Sequence, residues 1–187
     1  LETRQGVAYA RNTGLEASSG QYIGFIDDDE LVNTEWIAGM LKGFTLDNFV
    51  GAVTGPVIPA YTQQTPIWMP EAFHGADCGF EYRLLSSKEA IGTGNSMFRS
   101  DFIRDIRFKT NLGRVKDSLV SGEDTDFVQQ LYDKGYKGAY SPQAIVQHMI
   151  PPERTTLKWF AHRYFAEGIT EYLRKGHGVF WRRLHKP

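Results

Sequence analysis

The chain has 187 residues, 41% of them hydrophobic, with a formal net charge of −1. That length and apolar content support one folded domain with its own core and exclude a disordered chain. The near-zero charge excludes bulk electrostatic capture of nucleic acid. A single cysteine, Cys78, rules out an internal disulfide, and no run of about 18 apolar residues exists to span a membrane. These features suit a reducing, cytoplasmic setting.

Val7, Ala10, Arg11, Gly14 and Leu15 recur at helical spacing and predict a helix over 4–19, closed by Ser18-Ser19-Gly20. Arg11 and Asn12 are polar positions inside it, read at this point as ordinary surface polarity or as site residues. The chain starts at Leu1, in the middle of what reads as a βαβ unit, so an N-terminal βαβ portion is expected to be lacking. Tyr22 to Ile26 reads as a short buried strand that runs into Asp27-Asp28-Asp29-Glu30. Clustered carboxylates repel one another unless a cation or hydrogen-bond donors compensate them. At the C-terminal edge of a sheet, where α/β proteins bind ligands, a divalent ion such as Mg²⁺ or Mn²⁺ is the simplest compensator. The plain alternative is a solvated, capping turn. A Walker-type hydrolase is excluded, because the Gly-rich stretch Gly92-Thr93-Gly94-Asn95-Ser96 contains no lysine.

Asn33 or Thr34 is placed to cap a helix over 35–46, with Trp36, Ile37, Met40, Leu41 and Phe44 on its apolar face. A strand over 52–57 follows. Pro59, Pro66 and Pro70 break any long element in 58–88, where Tyr61, Trp68, Phe73, Phe80 and Tyr82 are scattered. That segment reads either as an irregular stretch with a small core of its own or as an aromatic wall for a sugar acceptor. A strand over 91–99 begins with two glycines beside Asn95, which allow close backbone approach to a ligand or mark a bulge. Ser100 and Asp101 open a short helix through Ile106, and 109–121 carries no pattern.

Gly122-Glu123-Asp124-Thr125-Asp126 opens a further helix with Phe127, Val128, Leu131 and Tyr132 as its buried stripe and Gly135 at its end. Acids in a first turn are what the helix dipole favours, so this run alone does not mark a site. One or two short strands over 136–147 end at His148, and a long helix over about 155–175 follows Pro151-Pro152. The tail 174–187 interleaves Arg174, Lys175, Arg182, Arg183 and Lys186 with Val179, Phe180, Trp181 and Leu184. It reads as a peripheral contact with the inner membrane face, as a partner-docking segment, or as a frayed end. Residues 1–175 are assigned to one domain and 176–187 to this tail.

Each signal is weak alone, but their order is specific. Ala10-Arg11-Asn12, the strand into Asp27-Asp28-Asp29, Gly92-Thr93-Gly94-Asn95, Gly122-Glu123-Asp124 and His148 together resemble the family 2 glycosyltransferases over residues 6 to about 168. The resemblance implies an α/β GT-A fold, a Rossmann-like mixed sheet flanked by helices, and an inverting sugar transfer from a nucleotide-sugar. It implies that Asp29, the last residue of an Asp-x-Asp motif, and His148 bind Mn²⁺ or Mg²⁺. Arg11, Asn12, Asp27, Asp28, Asn95 and Glu123 would contact the donor, and Asp124 would be the catalytic base. The implied partners are a UDP-sugar and a glycan or lipid-linked acceptor of cell-surface polysaccharide or glycolipid synthesis, with no nucleic acid. The family's first strand has no counterpart here, in keeping with the expected N-terminal lack. Two other readings stay open: a sugar-phosphate nucleotidyltransferase, and a GT-A-like module that binds a glycan or partner without turnover.

Overall fold

The computed structural model describes residues 1–70, 73–77, 79–116 and 118–175. Cys78 and the basic aromatic tail 176–187 lie outside the described residues, as does whatever the tail contacts.

Helix α1 (Val7–Ala17) leads into strand β1 (Tyr22–Ile26), then β2 (Glu30–Val32), α2 (Trp36–Gly43), β3 (Val50–Thr54) and β4 (Val57–Tyr61). After β5 (Arg83–Leu85) and β6 (Asn95–Arg99) come α3 (Glu123–Asp133), β7 (Lys137–Tyr140), β8 (Val146–Ile150) and α4 (Leu157–Lys175). Short 3₁₀ turns occupy Ser100–Phe102 and Pro152–Thr155. Among the described residues the strands form a five-stranded sheet in the order β1-β6-β3-β7-β5 and a three-stranded sheet in the order β2-β8-β4. The larger sheet is mixed: β3 and β7 run parallel, while β6 lies antiparallel to both β1 and β3.

Side chains alternate across this sheet with the period of two that a pleated strand imposes. On β6 and β7, Phe98 and Tyr140 face the core cluster under α1 and α3, whereas Met97 and Ala139 face the cluster under α2. The first cluster is fastened by Phe127, which stacks on Phe108 at 4.1 Å and meets the edge of Phe98 at 5.2 Å. Phe98, Phe127 and Val53 are fully buried, so both faces of the sheet are covered.

Several local expectations change. Strand β1 is not buried but lies half exposed at the sheet edge, and Ile37 and Leu41 of α2 stand exposed. The single strand over 52–57 is two, because Gly55-Pro56 passes the chain from the larger sheet (β3) to the smaller (β4). Segment 58–88 therefore contains part of one strand and all of β5. His148 does not follow a strand but lies inside β8, opposite Glu30 of β2. Neither Asn33 nor Thr34 caps α2 with its side chain: the Asn33 carbonyl takes the Trp36 amide, and the Asn33 amide group donates to Gln143 O at 3.0 Å.

The two sheets meet at the acidic segment. β1 belongs to the large sheet and β2 to the small one, and Asp27-Asp28-Asp29 is the whole connection between them. The Glu30 amide donates to Asp27 O at 3.1 Å and the Asp27 amide donates to Glu30 Oε2 at 3.2 Å, which closes the turn. A Cβ at Gly94 would lie 2.7 Å from the Glu30 carboxylate, so a side chain there would push that carboxylate aside. Burial, with Asp27 and Asp29 adding like charge, pushes the Glu30 carboxyl up to about 7.

Candidate active site

A cavity of about 460 Å³ opens where these elements converge. Asp27, Asp28 and Asp29 form one wall, and Arg11 of α1 reaches in beside them. Thr93 and Gly94 enter from the segment before β6, Glu123 and Asp124 from the start of α3, and His148 from β8. Arg114, Arg154 and Arg163 complete the rim together with Glu167.

The positions are set locally. Gly122 takes φ +93°, which turns the chain sharply into α3. A side chain there would also collide with Arg174 and Thr170 of α4 at 2.7 Å, so glycine serves twice. The turn leaves Glu123 buried and brings Asp124 to the cavity. Asp124 Oδ1 accepts the Thr125 amide at 2.6 Å and the Thr125 hydroxyl at 3.3 Å. The loop before the helix is held by α4: Thr170 Oγ1 accepts the Ser121 amide at 3.0 Å, and Arg163 donates to Leu119 O at 3.1 Å. Arg163 also pairs with Glu167.

Arg11 links two acids that are far apart in sequence. Its Nη1 donates to Glu123 Oε1 at 2.7 Å and its Nη2 to Asp27 Oδ1 at 2.9 Å. Burial first, and then the charge of Asp124, push the Glu123 carboxyl up, while Arg11 opposes them. Glu123 Oε2 and Thr93 Oγ1 are buried at the cavity with no hydrogen-bond partner among the described residues. Buried polar atoms are normally paired, so two orphans on one cavity wall are what a polar ligand would satisfy.

Asp29 and His148 face each other, with Asp29 Oδ2 3.4 Å from His148 Nε2. Main-chain bonding fixes both: the Met149 amide donates to Asp29 O at 2.8 Å. Arg154 Nη1 lies 3.1 Å from each of the two atoms. No group of three or more His, Cys, Asp or Glu able to hold a metal ion occurs among the described residues. Asp29 and His148 by themselves offer only two donor atoms. Such a pair would suit a divalent ion only if phosphate and water supplied its remaining ligands, and it does not suit a closed metal cage.

Two sequence-derived candidates stand elsewhere. Asn12 exchanges both of its amide atoms with Phe108, donating to its carbonyl and accepting from its amide at 2.9 Å each. Asn95 is 2% exposed. Its Oδ1 accepts Trp36 Nε1 at 2.7 Å, and its Nδ2 donates to Pro56 O and Ala144 O at 3.0 and 2.9 Å. The cavity wall expected from Asn95 is supplied by Thr93 and Gly94. Sequence reasoning also passed over Arg114, Arg154 and Arg163. Arg114 sits in a patternless loop, and Arg163 is one basic residue in a helix read for its apolar stripe. The one available cue was Arg154, placed just after Pro151-Pro152 and six residues beyond His148.

A second cleft of about 340 Å³ adjoins the cavity and shares His148, Arg114, Arg154, Arg163 and Glu167 with it. Its far wall is aromatic. Phe73 packs on Phe160 at 4.5 Å and on Tyr164 at 6.0 Å, and His74 packs on Trp159 at 5.3 Å. Among the described residues of segment 58–88, Trp68 and Phe73 pack against α4, while Phe80 is exposed.

The sequence model of Glycosyl transferase family 2 matches residues 1–112. The chain is 34% identical over 182 residues to the succinoglycan biosynthesis protein ExoM of Rhizobium meliloti (strain 1021), covering 92% of this chain and 55% of that protein. It is 27% identical over 175 residues to the glucosyl-dolichyl phosphate glucuronosyltransferase of Haloferax volcanii, covering 91% and 56% respectively. The pre-mycofactocin glycosyltransferase of Mycobacterium tuberculosis is 31% identical over 169 residues, with 88% of this chain and 34% of that protein covered. The chain thus spans about half the length, or less, of the curated relatives it matches. Among solved structures, GalNAc-T7 with UDP, GalNAc and Mn²⁺ superposes with a TM-score of 0.56 at 17% identity, over 80% of this chain and 31% of that one. That likeness shows the fold, a GT-A arrangement of mixed sheet and flanking helices.

Proposed function

The chain belongs to glycosyl transferase family 2, and from that premise we propose that it transfers a sugar from a nucleoside diphosphate donor to an acceptor hydroxyl with inversion. The observation that carries this reading is the convergence of Asp29 and His148, 119 positions apart, with Asp124 in one cavity. Leaving-group stabilisation and proton removal are the two tasks of the reaction.

Asp29 and His148 would hold a divalent ion, Mn²⁺ or Mg²⁺, which when bound supplies Lewis-acid stabilisation to the leaving diphosphate. Asp27 and Asp28 line the same wall and would contact the ribose and sugar hydroxyls. Arg11 keeps Asp27 and Glu123 in fixed positions, and Thr93 Oγ1 and Glu123 Oε2 offer polar contacts to the donor. Asn12 and Asn95 serve through the backbone segments that they fasten.

Asp124 acts as general base. Its Oδ1 is occupied by Thr125, which leaves Oδ2 for the acceptor. The acceptor oxygen forms a bond to the anomeric carbon as its proton passes to Asp124. The bond from that carbon to the diphosphate oxygen breaks, and its electron pair leaves with the diphosphate. Attack from the face opposite the leaving group inverts the configuration, and no covalent enzyme intermediate is required.

The aromatic cleft supports an acceptor site. Trp159, Phe73 and Tyr164 offer ring faces of the kind that pack on sugar C–H surfaces, next to the cavity. The names of two relatives point to succinoglycan and to a glucosyl-dolichyl phosphate. We therefore assign the acceptor to a lipid-linked or cell-surface glycan. No helix among the described residues is long and apolar enough to cross a membrane.

The test is release of nucleoside diphosphate from a panel of UDP-, GDP- and dTDP-sugars. One donor is expected to be consumed in the presence of Mn²⁺, and the consumption to be lost in Asp124→Asn. Failure of every donor, with the protein folded, would overturn the reading.

A further inference from the structure

The proposed metal ligands point at a nitrogen that the chain itself supplies. Arg154 Nη1 lies 3.1 Å from Asp29 Oδ2 and 3.1 Å from His148 Nε2, and those two atoms are 3.4 Å apart. One guanidinium nitrogen thus contacts both of the atoms that an ion bound there would need. A guanidinium is always protonated and always a donor. When the ring carries its proton on Nδ1, His148 Nε2 accepts from Arg154, and the same lone pair is the one that would ligate a metal.

Arg154 is set up to hold this place and also to leave it. It sits in the 3₁₀ turn Pro152–Thr155, directly after β8. Its carbonyl contacts His74 Nε2 at 3.3 Å, so the backbone is fastened to the aromatic cleft independently of the guanidinium. Its side chain is 20% exposed and lines both the cavity and the cleft. Beyond the Nη1 contacts, its side-chain donors make no hydrogen bond among the described residues.

We propose that Arg154 is a resident cation of the metal position and a positioning residue of the transfer reaction. This rests on the metal reading above. In the donor-free protein Arg154 neutralises Asp29 and orients His148. A guanidinium and a divalent cation cannot share one point, because like charges at that separation repel strongly. Arg154 therefore yields the position when donor and metal arrive together. Its planar fork then turns to the diphosphate, which it can bind bidentately. Binding of metal alone must work against Arg154, whereas binding of metal with a diphosphate recruits it. Donor and metal are thereby coupled, and coupling between two ligands is reciprocal.

The experiment measures Mn²⁺ affinity by the electron paramagnetic resonance signal of the free ion, with and without UDP. It uses the wild type, Arg154→Met, Arg154→Lys and Asp29→Asn, each checked for folding by circular dichroism. Arg154→Met is expected to bind Mn²⁺ alone about tenfold more tightly than the wild type, and to lose most of the enhancement by UDP. Arg154→Lys, which keeps the charge without the fork, should stay weak for Mn²⁺ alone and gain less from UDP. Should Arg154→Met bind Mn²⁺ no more tightly than the wild type while the wild type binds it with UDP, the role of Arg154 is overturned and the metal site stands. Absence of Mn²⁺ binding in the wild type even with UDP, or equal binding in Asp29→Asn, would overturn both.

Discussion

Arg11 and Glu123 lie 112 positions apart in sequence, yet they form a 2.7 Å charge-assisted bond with side-chain exposures of only 10% and 8%. The pair ties α1 to the first turn of α3, and so ties the acidic wall to the residue proposed as the base. Removing one partner of a buried pair leaves an uncompensated charge. Arg11→Met is expected to cost about 3 kcal/mol of unfolding free energy in urea titration. The double variant Arg11→Met/Glu123→Gln should recover a large part of that loss, whereas simple additivity would show that the pair is not coupled.

Asp124 is assigned proton removal and not donor binding. Asp124→Asn should lower kcat by about 10² to 10⁴, with the nucleotide Kd changed by no more than about twofold. Steady-state kinetics and calorimetry on the same preparation separate these effects. A loss confined to donor affinity would move Asp124 from catalysis to binding.

Asn95 is assigned to the framework. Its replacement by Ala strands Trp36 Nε1, Pro56 O and Ala144 O, at about 1 kcal/mol or more each, so a loss of about 3 kcal/mol is expected in denaturant titration. Donor affinity, measured below the unfolding transition, should be little changed. A stable Asn95→Ala protein that binds donor poorly would return Asn95 to the cavity wall.

The aromatic cleft is assigned the acceptor. Trp159→Ala should raise the acceptor KM about tenfold, by loss of a packing face of about 1 to 2 kcal/mol, and leave nucleotide Kd unaltered. Equal effects on donor and acceptor would place Trp159 in a general structural role.

The pair Arg83–Glu89 anchors β5 to the segment that leads into Thr93 and Gly94, with Nη2–Oε1 at 2.5 Å. Hydrogen bonds from Arg83 and then from the Ser86 amide hold the Glu89 carboxyl down at about 2, below its ordinary 4.5. A depressed carboxylate binds fewer protons folded than unfolded, so its stabilisation is present above pH 4.5 and is lost as pH falls toward 2. Both side chains are more than a third exposed, which limits the effect to about 0.5 kcal/mol. Glu89→Gln should be slightly less stable than the wild type at pH 7, and the difference should vanish as the pH approaches 2. A difference independent of pH would point to packing and not to charge.

The elements were legible in sequence wherever apolar periodicity was strong. The buried stripe Phe127, Val128, Leu131 marked α3, and the apolar run Tyr22 to Ile26 marked β1. Partition between sheets was not legible, because Gly55-Pro56 reads as a strand end whether the chain stops or changes sheet. The acidic residues could be found because their charges are costly to cluster and need a reason. Asn95 was misplaced by alternation: the strand starts at that residue, and its side chain turns inward toward Trp36 while Thr93 and Gly94 remain at the cavity. Arg154 acquires its meaning from two contacts, to His148 and to Asp29, and the second joins residues 125 positions apart through the pairing of β2 with β8. Contacts of that range come from topology and leave no local pattern.

The most direct test of a metal-assisted donor site at Asp29 and His148 is calorimetric titration of UDP into the protein, with and without Mn²⁺, in the wild type and in Asp29→Asn. The account requires UDP binding that depends on Mn²⁺ and is lost in Asp29→Asn. UDP binding of equal strength in both proteins, with or without the metal, would contradict it.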